Sequence, residues 1–352
     1  MIQHILDFTE QELEDYMSEI DQPRYRANQI YKGIYSKNWQ DFIEFSTLPK
    51  SFRELLRNQF SLRTFSLIDE IKSKKDGTTK YLWKLSDGMK IESVIIYEGK
   101  RVTFCISSQI GCPLDCKFCA TGKMGLLRNL TSGEIIEQVI QMKERSLYPP
   151  TNIVFMGMGE PMLNYDAVIK SADIMSDPEG MAFSRKRITI STSGIIPAIY
   201  RMADENQPYS LAISLNSVKD IIREQIMPIS KKYPLEKLLD AARYYNQNTK
   251  KRVTFEYVLI DGLNSSEEDA QLLVQLTQGI TCKINIIPCN SDDPQFKPPT
   301  DEQIKRFDIL VNDNHRTITI RRRKGWEIQA ACGQLYAENE RKKRISVKSL
   351  NI

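Results

Sequence analysis

Three of the seven cysteines stand together in one short loop, where their spacing could hold a metal centre. Cys112, Cys116 and Cys119 form a Cys-x3-Cys-x2-Cys pattern. A structural zinc site needs four ligands, and the two histidines, His4 and His315, are remote in the sequence. A 4Fe-4S cluster is held by cysteine thiolates, and three of them leave one iron open. The spacing favours such a cluster, with a zinc site or plain thiols as the alternatives.

Polar and glycine-rich segments follow three later strand-like runs. The sequence reads Gly-Met-Gly-Glu-Pro at 157–161, Ser-Thr-Ser-Gly at 191–194 and Ser-Leu-Asn at 214–216. Taken singly, the first could be a tight turn and the second a helix start. Their recurrence at the carboxyl ends of successive strands, where a barrel keeps its ligand-binding loops, predicts one shared site.

The elements that would position these loops alternate between strand and helix. Apolar strand-like runs begin near residues 102, 152, 187, 210, 253, 283 and 317, with helical periodicity between them. This alternation predicts a parallel sheet covered by helices, either open or closed into a barrel. Before it, helical patterns with Thr9 as an N-cap are followed by alternating apolar residues that predict a β-hairpin or small meander.

Composition and charge narrow the class of protein. The 352 residues are 41% hydrophobic and 27% charged, as in globular domains rather than disordered chains. No secretory signal is evident and no run approaches the roughly 18 apolar residues of a membrane span, so we expect a cytoplasmic protein. Residues 316–352 hold ten Lys or Arg against three Glu, whereas the whole chain is only +4. Arg321–Lys324 and the 341–344 run are therefore expected to contact the phosphates of a polyanionic partner, unless the basic end is only a solvated tail.

Residue for residue, the cysteine loop resembles the cluster signature of the radical S-adenosylmethionine (SAM) enzymes. Together with the segments above and Ala-Cys-Gly-Gln-Leu at 331–335, it resembles the bacterial RlmN family, from Tyr25 almost to the end of the chain. That family methylates C2 of an adenine in the peptidyl transferase centre of 23S rRNA and of the adenine 3′ of the anticodon in tRNA. The resemblance implies an α/β fold, an incomplete radical SAM (β/α)6 barrel preceded by a small helical domain and a short β linker.

The implied domains are an N-terminal helical RNA-binding domain at 1–64, a β-hairpin linker at 65–97, the radical SAM core barrel at 98–325 and a C-terminal segment at 326–352. The resemblance makes Cys112, Cys116 and Cys119 the ligands of one 4Fe-4S cluster. It implies seven SAM contacts, namely Gly159, Glu160, Ser191, Ser214, Leu215, Asn216 and Asn290. Most relatives carry histidine where this chain has Asn216, so a backbone contact is expected there and a side-chain role is in doubt.

The resemblance also implies a radical route, which suits adenine C2 because this electrophilic carbon has no lone pair for polar methyl transfer. A first SAM would methylate Cys332, a radical from a second SAM would remove a hydrogen from that methyl, and the methylene radical would add to C2. Cys105 would release the product by forming a disulfide with Cys332, and Glu92 would accept the C2 proton. Without the resemblance, Cys105 would be an ordinary buried cysteine and Glu92 a surface carboxylate.

The expected partners are 23S rRNA, tRNA and an electron donor such as flavodoxin or ferredoxin, with the chain acting as a monomer. Cys282 and Cys289 match no family role and are expected to be small apolar fillers. One alternative is the related antibiotic-resistance enzyme that methylates C8 of the same ribosomal adenine. The alternative from another class is a non-catalytic RNA-binding protein that contains zinc.

Overall fold

The structure is a computed structural model that describes residues 3–312, 317–321 and 324–337. Its helices are α1 (Glu10–Glu19), α2 (Tyr25–Tyr35), α3 (Lys50–Gln59), α4 (Ala120–Met124), α5 (Ser132–Arg145), α6 (Tyr165–Ser176), α7 (Ile196–Asp204), α8 (Asp220–Ile226), α9 (Leu235–Thr249), α10 (Glu267–Leu276) and α11 (Asp301–Val311). Its strands are β1 (Gln3–His4), β2 (Phe60–Ser61), β3 (Ser66–Lys72), β4 (Thr79–Lys84), β5 (Lys90–Glu98), β6 (Arg101–Cys105), β7 (Gln109–Gly111), β8 (Leu126–Asn129), β9 (Asn152–Phe155), β10 (Ile188–Thr192), β11 (Ser210–Ser214), β12 (Val253–Leu259), β13 (Cys282–Pro288) and β14 (Thr317–Ile320). Within the described ranges, no helix is both long and apolar enough to cross a bilayer.

Ten strands form one sheet in the order β14-β13-β12-β11-β10-β9-β6-β5-β4-β3. From β6 to β14 the neighbours run parallel, as the strand and helix alternation predicts. β3, β4, β5 and β6 are antiparallel neighbours, so the linker is a meander that continues the main sheet. β3 and β14 are the two edges, which leaves the sheet open and confirms an incomplete barrel.

The two faces of the parallel sheet differ in polarity because successive side chains of a strand point to opposite faces. In β12, Val253, Phe255 and Tyr257 are buried in the apolar core, whereas Thr254 and Glu256 line an internal cavity. The helices cover the apolar face. The inner face of the open barrel therefore carries polar side chains beside apolar ones such as Val154 and Ile287, and it borders a cavity that can hold a ligand.

The first three helices pack around their own apolar cluster, which extends onto α5. Thr9 caps α1 as the sequence predicts, accepting from Glu12 N–H at 3.2 Å while the Glu12 carboxylate accepts from Thr9 N–H at 2.7 Å. The cluster includes Tyr31 and Phe45 and continues to Ile136 of α5. The helical region is thereby fixed against the barrel by apolar burial. The boundaries at residues 64, 97 and 325 stay predictions.

Candidate active site

The cysteine loop lies between two short strands and helix α4. β7 and β8 pair antiparallel on either side of it, and Cys112 N–H donates to the Gly125 carbonyl at 3.1 Å. Gly111 has φ +77°, and a Cβ there would lie 1.8 Å from the Gly125 carbonyl oxygen, so the close approach requires glycine. Cys119 N–H donates to the Cys116 carbonyl at 3.1 Å. The loop thus folds back on itself, and all three cysteines line one open cavity.

The three thiols fit a cluster better than a single metal ion. Burial raises the pKa of each of them, so they are neutral until metal binding displaces their protons. In the part of the chain that the structure describes, no three His, Cys, Asp or Glu side chains stand close enough to share one ion. Thiolates of a 4Fe-4S cluster bind separate irons and stand farther apart than ligands of one ion. The arrangement is compatible with a cluster, and the described residues do not supply the closed ligand set of structural zinc.

The loop after β9 brings Gly159 and Glu160 against the start of the cysteine loop. Gly159 has φ +103°, and a Cβ there would lie 2.6 Å from the Gln109 Cβ. Gln109 Oε1 accepts from Glu160 N–H at 2.8 Å. The buried Glu160 carboxylate accepts from the N–H groups of Met162 at 3.1 Å and Ser193 at 2.7 Å. Burial raises the pKa of Glu160 and these hydrogen bonds oppose the rise. Its oxygens keep acceptor capacity for a cationic ligand group.

Most of the other predicted SAM residues line the same cavity, namely Ser191, Ser214, Asn216 and Asn290. Leu215 is fully buried and does not line it. The Asn216 side chain is used within the protein, because its Oδ1 accepts from Val258 N–H at 3.0 Å and its Nδ2 contacts Met227 Sδ at 3.2 Å. The Asn290 Oδ1 is buried, with no hydrogen-bond partner among the described residues. A bound ligand with a donor group would satisfy it.

Cys332 belongs to a C-terminal segment, residues 324–337, that lies against the cysteine loop. The Gly333 carbonyl accepts from Ala120 N–H at 2.7 Å. The Thr121 hydroxyl donates to a second carbonyl of the segment at 2.6 Å. Both donors begin α4, directly after the third loop cysteine. Cys332 therefore lines the cavity of the cluster cysteines although 213 positions separate it from Cys119 in the sequence.

A second cavity lies along the inner face of the sheet and also reaches Cys332. Cys105, the last residue of β6, lines only this second cavity, whereas Cys332 lines both. Burial raises the pKa of Cys105 to about 12, and the neighbouring Cys332 adds to the rise. Arg321 Nη1 donates to Cys332 Sγ at 3.6 Å. The structure thus brings the two proposed mechanistic thiols and one cation together.

Glu92 lies beside this assembly without lining either cavity. It is buried in β5, where Lys80 Nζ is 3.0 Å from its Oε1 and Tyr336 N–H donates to its Oε2 at 2.8 Å. Burial raises the pKa of Glu92, and Lys80 opposes the rise. The C-terminal segment therefore covers the predicted proton acceptor.

Several polar residues of the second cavity are not among the site residues that the sequence predicts. Asn285 Nδ2 donates to Glu256 Oε1 at 2.8 Å, and the Thr319 hydroxyl donates to Asn285 Oδ1. The sequence places Arg321 among the phosphate contacts, but in the structure it points at Cys332 instead. The one signal in the sequence is that each residue occupies an inward position of a predicted strand, and this position alone does not distinguish core from cavity.

Of the remaining predicted residues, two are buried cysteines, one lines the second cavity and the others lie outside the described ranges. Cys282 is buried at the start of β13, and Cys289 is buried just after that strand. Lys324 lines the second cavity. Residues 322–323 and the basic run at 341–344 lie outside the described residues.

An open α/β barrel whose first parallel strand leads into a three-cysteine loop, with glycine and hydroxyl residues after the following strands, defines a radical SAM enzyme. The Radical SAM superfamily model matches residues 106–274, and that of the ribosomal RNA large subunit methyltransferase N-terminal domain matches residues 3–62. A radical SAM domain implies a 4Fe-4S cluster and SAM.

Full-length comparisons identify the family. The chain is 41% identical over 337 residues to a dual-specificity RNA methyltransferase RlmN of Syntrophobacter fumaroxidans, covering 95% of this chain and 98% of that protein. It is 40% identical over 348 residues to a probable dual-specificity RNA methyltransferase RlmN of Thermotoga maritima, covering 99% and 100%. The crystal structure of a radical SAM methyltransferase from Sphaerobacter thermophilus matches with a TM-score of 0.91 at 40% identity, covering 96% of this chain and 100% of that chain. The chain belongs to the RlmN family of radical SAM RNA methyltransferases.

Proposed function

We propose that this protein methylates C2 of one adenine in the peptidyl transferase centre of 23S rRNA and of the adenine 3′ of the anticodon in tRNA. Membership of the RlmN family supports an RNA substrate and methyl transfer from SAM. The observation that carries the route is the position of Cys332, which lines the cavity of the cluster cysteines and also that of Cys105. A methyl carrier must face its donor on one side and its acceptor on another.

We assign the cofactors to the first cavity. Cys112, Cys116 and Cys119 would hold one cluster per chain, while Glu160 and Asn290 offer acceptors to SAM. When bound, the reduced cluster cleaves SAM to a 5′-deoxyadenosyl radical. Two SAM molecules are used per turnover, one as methyl donor and one as radical source. The electron comes from a donor such as flavodoxin or ferredoxin, and the protein acts as a monomer in the cytoplasm.

Cys332 carries the methyl group. Its thiolate attacks the SAM methyl carbon while the bond from that carbon to the sulfonium sulfur breaks and S-adenosylhomocysteine leaves, and Arg321 at 3.6 Å provides a cation beside the Cys332 sulfur. The 5′-deoxyadenosyl radical takes one hydrogen atom from the S-methyl group to give 5′-deoxyadenosine, which leaves a methylene radical on Cys332. This carbon adds to C2 of a base held in the second cavity, joining the protein to the RNA.

Release uses Cys105 and Glu92. Glu92 accepts the C2 proton, for which a carboxylate with a raised pKa is a stronger base. One electron would pass from the adduct radical to the oxidised cluster. Cys105, as its thiolate, then bonds to the Cys332 sulfur while the bond from that sulfur to the methylene carbon breaks, and that carbon takes up a proton to become the methyl group. The resulting disulfide takes two electrons from a dithiol reductant before the next turnover. This exchange needs the two thiols near one another, and both of them border the second cavity.

The modified base tests the substrate assignment. Digested 23S rRNA and tRNA from a deletion strain, with and without the restored gene, would be compared by mass spectrometry. We expect 2-methyladenosine in both RNAs to depend on the gene. Formation of 8-methyladenosine instead would identify the C8 enzyme of antibiotic resistance.

Iron analysis tests the cluster ligands. Alanine at any of the three loop cysteines should abolish cluster assembly, because a three-thiolate site has no spare ligand. Cys282→Ala is the matched control, since Cys282 is buried outside both cavities. The anaerobically purified wild type should be brown and contain iron and sulfide. Stoichiometric zinc in a colourless protein, or full iron in a loop variant, would contradict the assignment.

A further inference from the structure

Arg223 is a buried cation that no carboxylate among the described residues touches, and Asp220 of the same helix acts on its charge only from farther away. It lies in α8 with 0% of its surface exposed. Among the residues that the structure describes, no Asp or Glu oxygen pairs with its guanidinium within 4.0 Å. Burial lowers the pKa of Arg223 to about 10, so the group stays protonated at neutral pH. A buried charge of this kind is unfavourable unless something else in the functional protein compensates it.

The guanidinium joins two of the loops that line the first cavity. It donates to the carbonyl of Ser193, after β10, at 2.8 Å and to the carbonyl of Leu215, after β11, at 2.9 Å. A third bond reaches Ser230 Oγ at 2.7 Å. Longer bonds reach the carbonyls of Ser214 at 3.3 Å and Tyr233 at 3.4 Å, and all five of these acceptors are neutral. Arg223 thus fixes the relative position of two predicted SAM loops from behind the cavity wall.

The same helix also touches the cysteine loop. The Ile226 carbonyl, at the end of α8, accepts from the N–H of Lys117, the residue after Cys116, at 2.9 Å. Helix α8 therefore places the buried Arg223 beside the cysteine loop, close enough for its charge to interact with the Cys116 sulfur.

We propose that Arg223 is a positioning residue that serves as the buried counter-charge of the iron–sulfur cluster and locks the SAM loops to it. The inference rests on the proposed binding of the cluster by Cys112, Cys116 and Cys119. Three thiolates give a 4Fe-4S cluster a net negative charge, which increases on reduction. In a site of low dielectric, a fixed cation beside the cluster favours the reduced state of the cluster. A cation on the protein surface would have a weaker effect, because solvent screens its charge.

Two variants separate the charge from the hydrogen bonds. Arg223→Gln removes the charge and keeps a donor, whereas Arg223→Lys keeps the charge and loses the planar fork. Arg145→Met is the control, since Arg145 packs over Trp83 at the far end of α5. Iron content is measured first, then the midpoint potential by electron paramagnetic resonance during redox titration, then SAM affinity by equilibrium dialysis.

We expect Arg223→Gln to lower the ratio of reduced to oxidised cluster at a fixed potential at least tenfold. This corresponds to a midpoint potential that is more negative by about 59 mV for one electron. Arg223→Lys should keep the wild-type potential but bind SAM more weakly, because one ammonium group cannot hold both carbonyls. An unchanged potential in an iron-replete Gln variant, or equal shifts in both variants, overturns the proposal. If the Gln variant does not hold iron, the Lys variant decides, and a shifted potential there overturns the proposal. A wild type without iron would instead overturn the cluster assignment itself.

Discussion

Replacing Gly159 with alanine should weaken SAM binding by roughly ten- to a hundredfold. Loss of one hydrogen bond between SAM and the Glu160 carboxylate costs about 1.5–3 kcal/mol, and each 1.4 kcal/mol is tenfold in an equilibrium constant. An alanine side chain at φ +103° is strained. The new Cβ would also lie 2.8 Å from the Gln109 backbone nitrogen. Gln109 positions Glu160 through a 2.8 Å hydrogen bond, so relief of the clash displaces the predicted SAM acceptor.

Equilibrium dialysis of SAM against iron-replete protein measures this effect. Gly279→Ala is the matched control, because Gly279 has φ +76° and a Cβ there would meet no atom within 4 Å. The control shares the backbone strain, lacks the clash and lies after α10, away from the site. It should unfold at a lower temperature and still bind SAM with wild-type affinity. A SAM dissociation constant for Gly159→Ala within twofold of wild type would refute the reasoning.

Three further predictions concern release and RNA binding. Cys332→Ala should form neither methylated RNA nor an adduct, whereas Cys105→Ala should stall as a nuclease-sensitive covalent protein–RNA band on denaturing gels. Normal methylation by Cys105→Ala without that band would make Cys105 a packing residue. Burial raises the pKa of Glu92, so its basic form is lost as the pH falls through that raised value. Adduct release in single turnovers should therefore slow at acid pH, and the Glu92→Gln variant should lack this pH dependence. Alanine throughout 341–344 should flatten the salt dependence of RNA affinity, with the slope falling by about 0.7–0.9 for each phosphate that the variant no longer neutralises. An unchanged slope would mark a solvated tail.

Local patterns in the sequence are sufficient to predict the architecture. Strand and helix alternation predicts the parallel sheet because periods of 2 and 3.6 residues record which face is buried. The capping box at Thr9 predicts the start of α1 for a similarly local reason. The cysteine spacing predicts a metal centre because its three candidate ligands are close in the chain. Each of these features depends on residues that are near one another in the sequence.

Features that depend on distant partners cannot be predicted in this way. The contact that holds the C-terminal segment to Thr121 spans 214 positions. Arg223 belongs to a short helix with Asp220 and Glu224, a pattern that is typical of a solvated face, yet it is completely buried. Arg321 is a second example. Its basic neighbours in the sequence indicate a contact with RNA phosphates, whereas in the structure its guanidinium contacts the Cys332 sulfur. Sequence reveals a charge but not the environment that surrounds it.

The attachment of the C-terminal segment has a consequence for the order of events at the site. Gly333 is bonded to the start of α4, so Cys332 stays beside the cluster loop as long as that bond holds. The N–H of Tyr336, three residues later, donates a hydrogen bond to Glu92 Oε2. If Glu92 accepts the C2 proton, the N–H of Tyr336 must leave the Glu92 carboxylate when the adenine is bound. The hydrogen bond of the Gly333 carbonyl meanwhile keeps the methyl-carrying sulfur of Cys332 in place. Substrate binding would then uncover Glu92 without moving the Cys332 sulfur, and proton removal by Glu92 would be confined to the states in which RNA is bound.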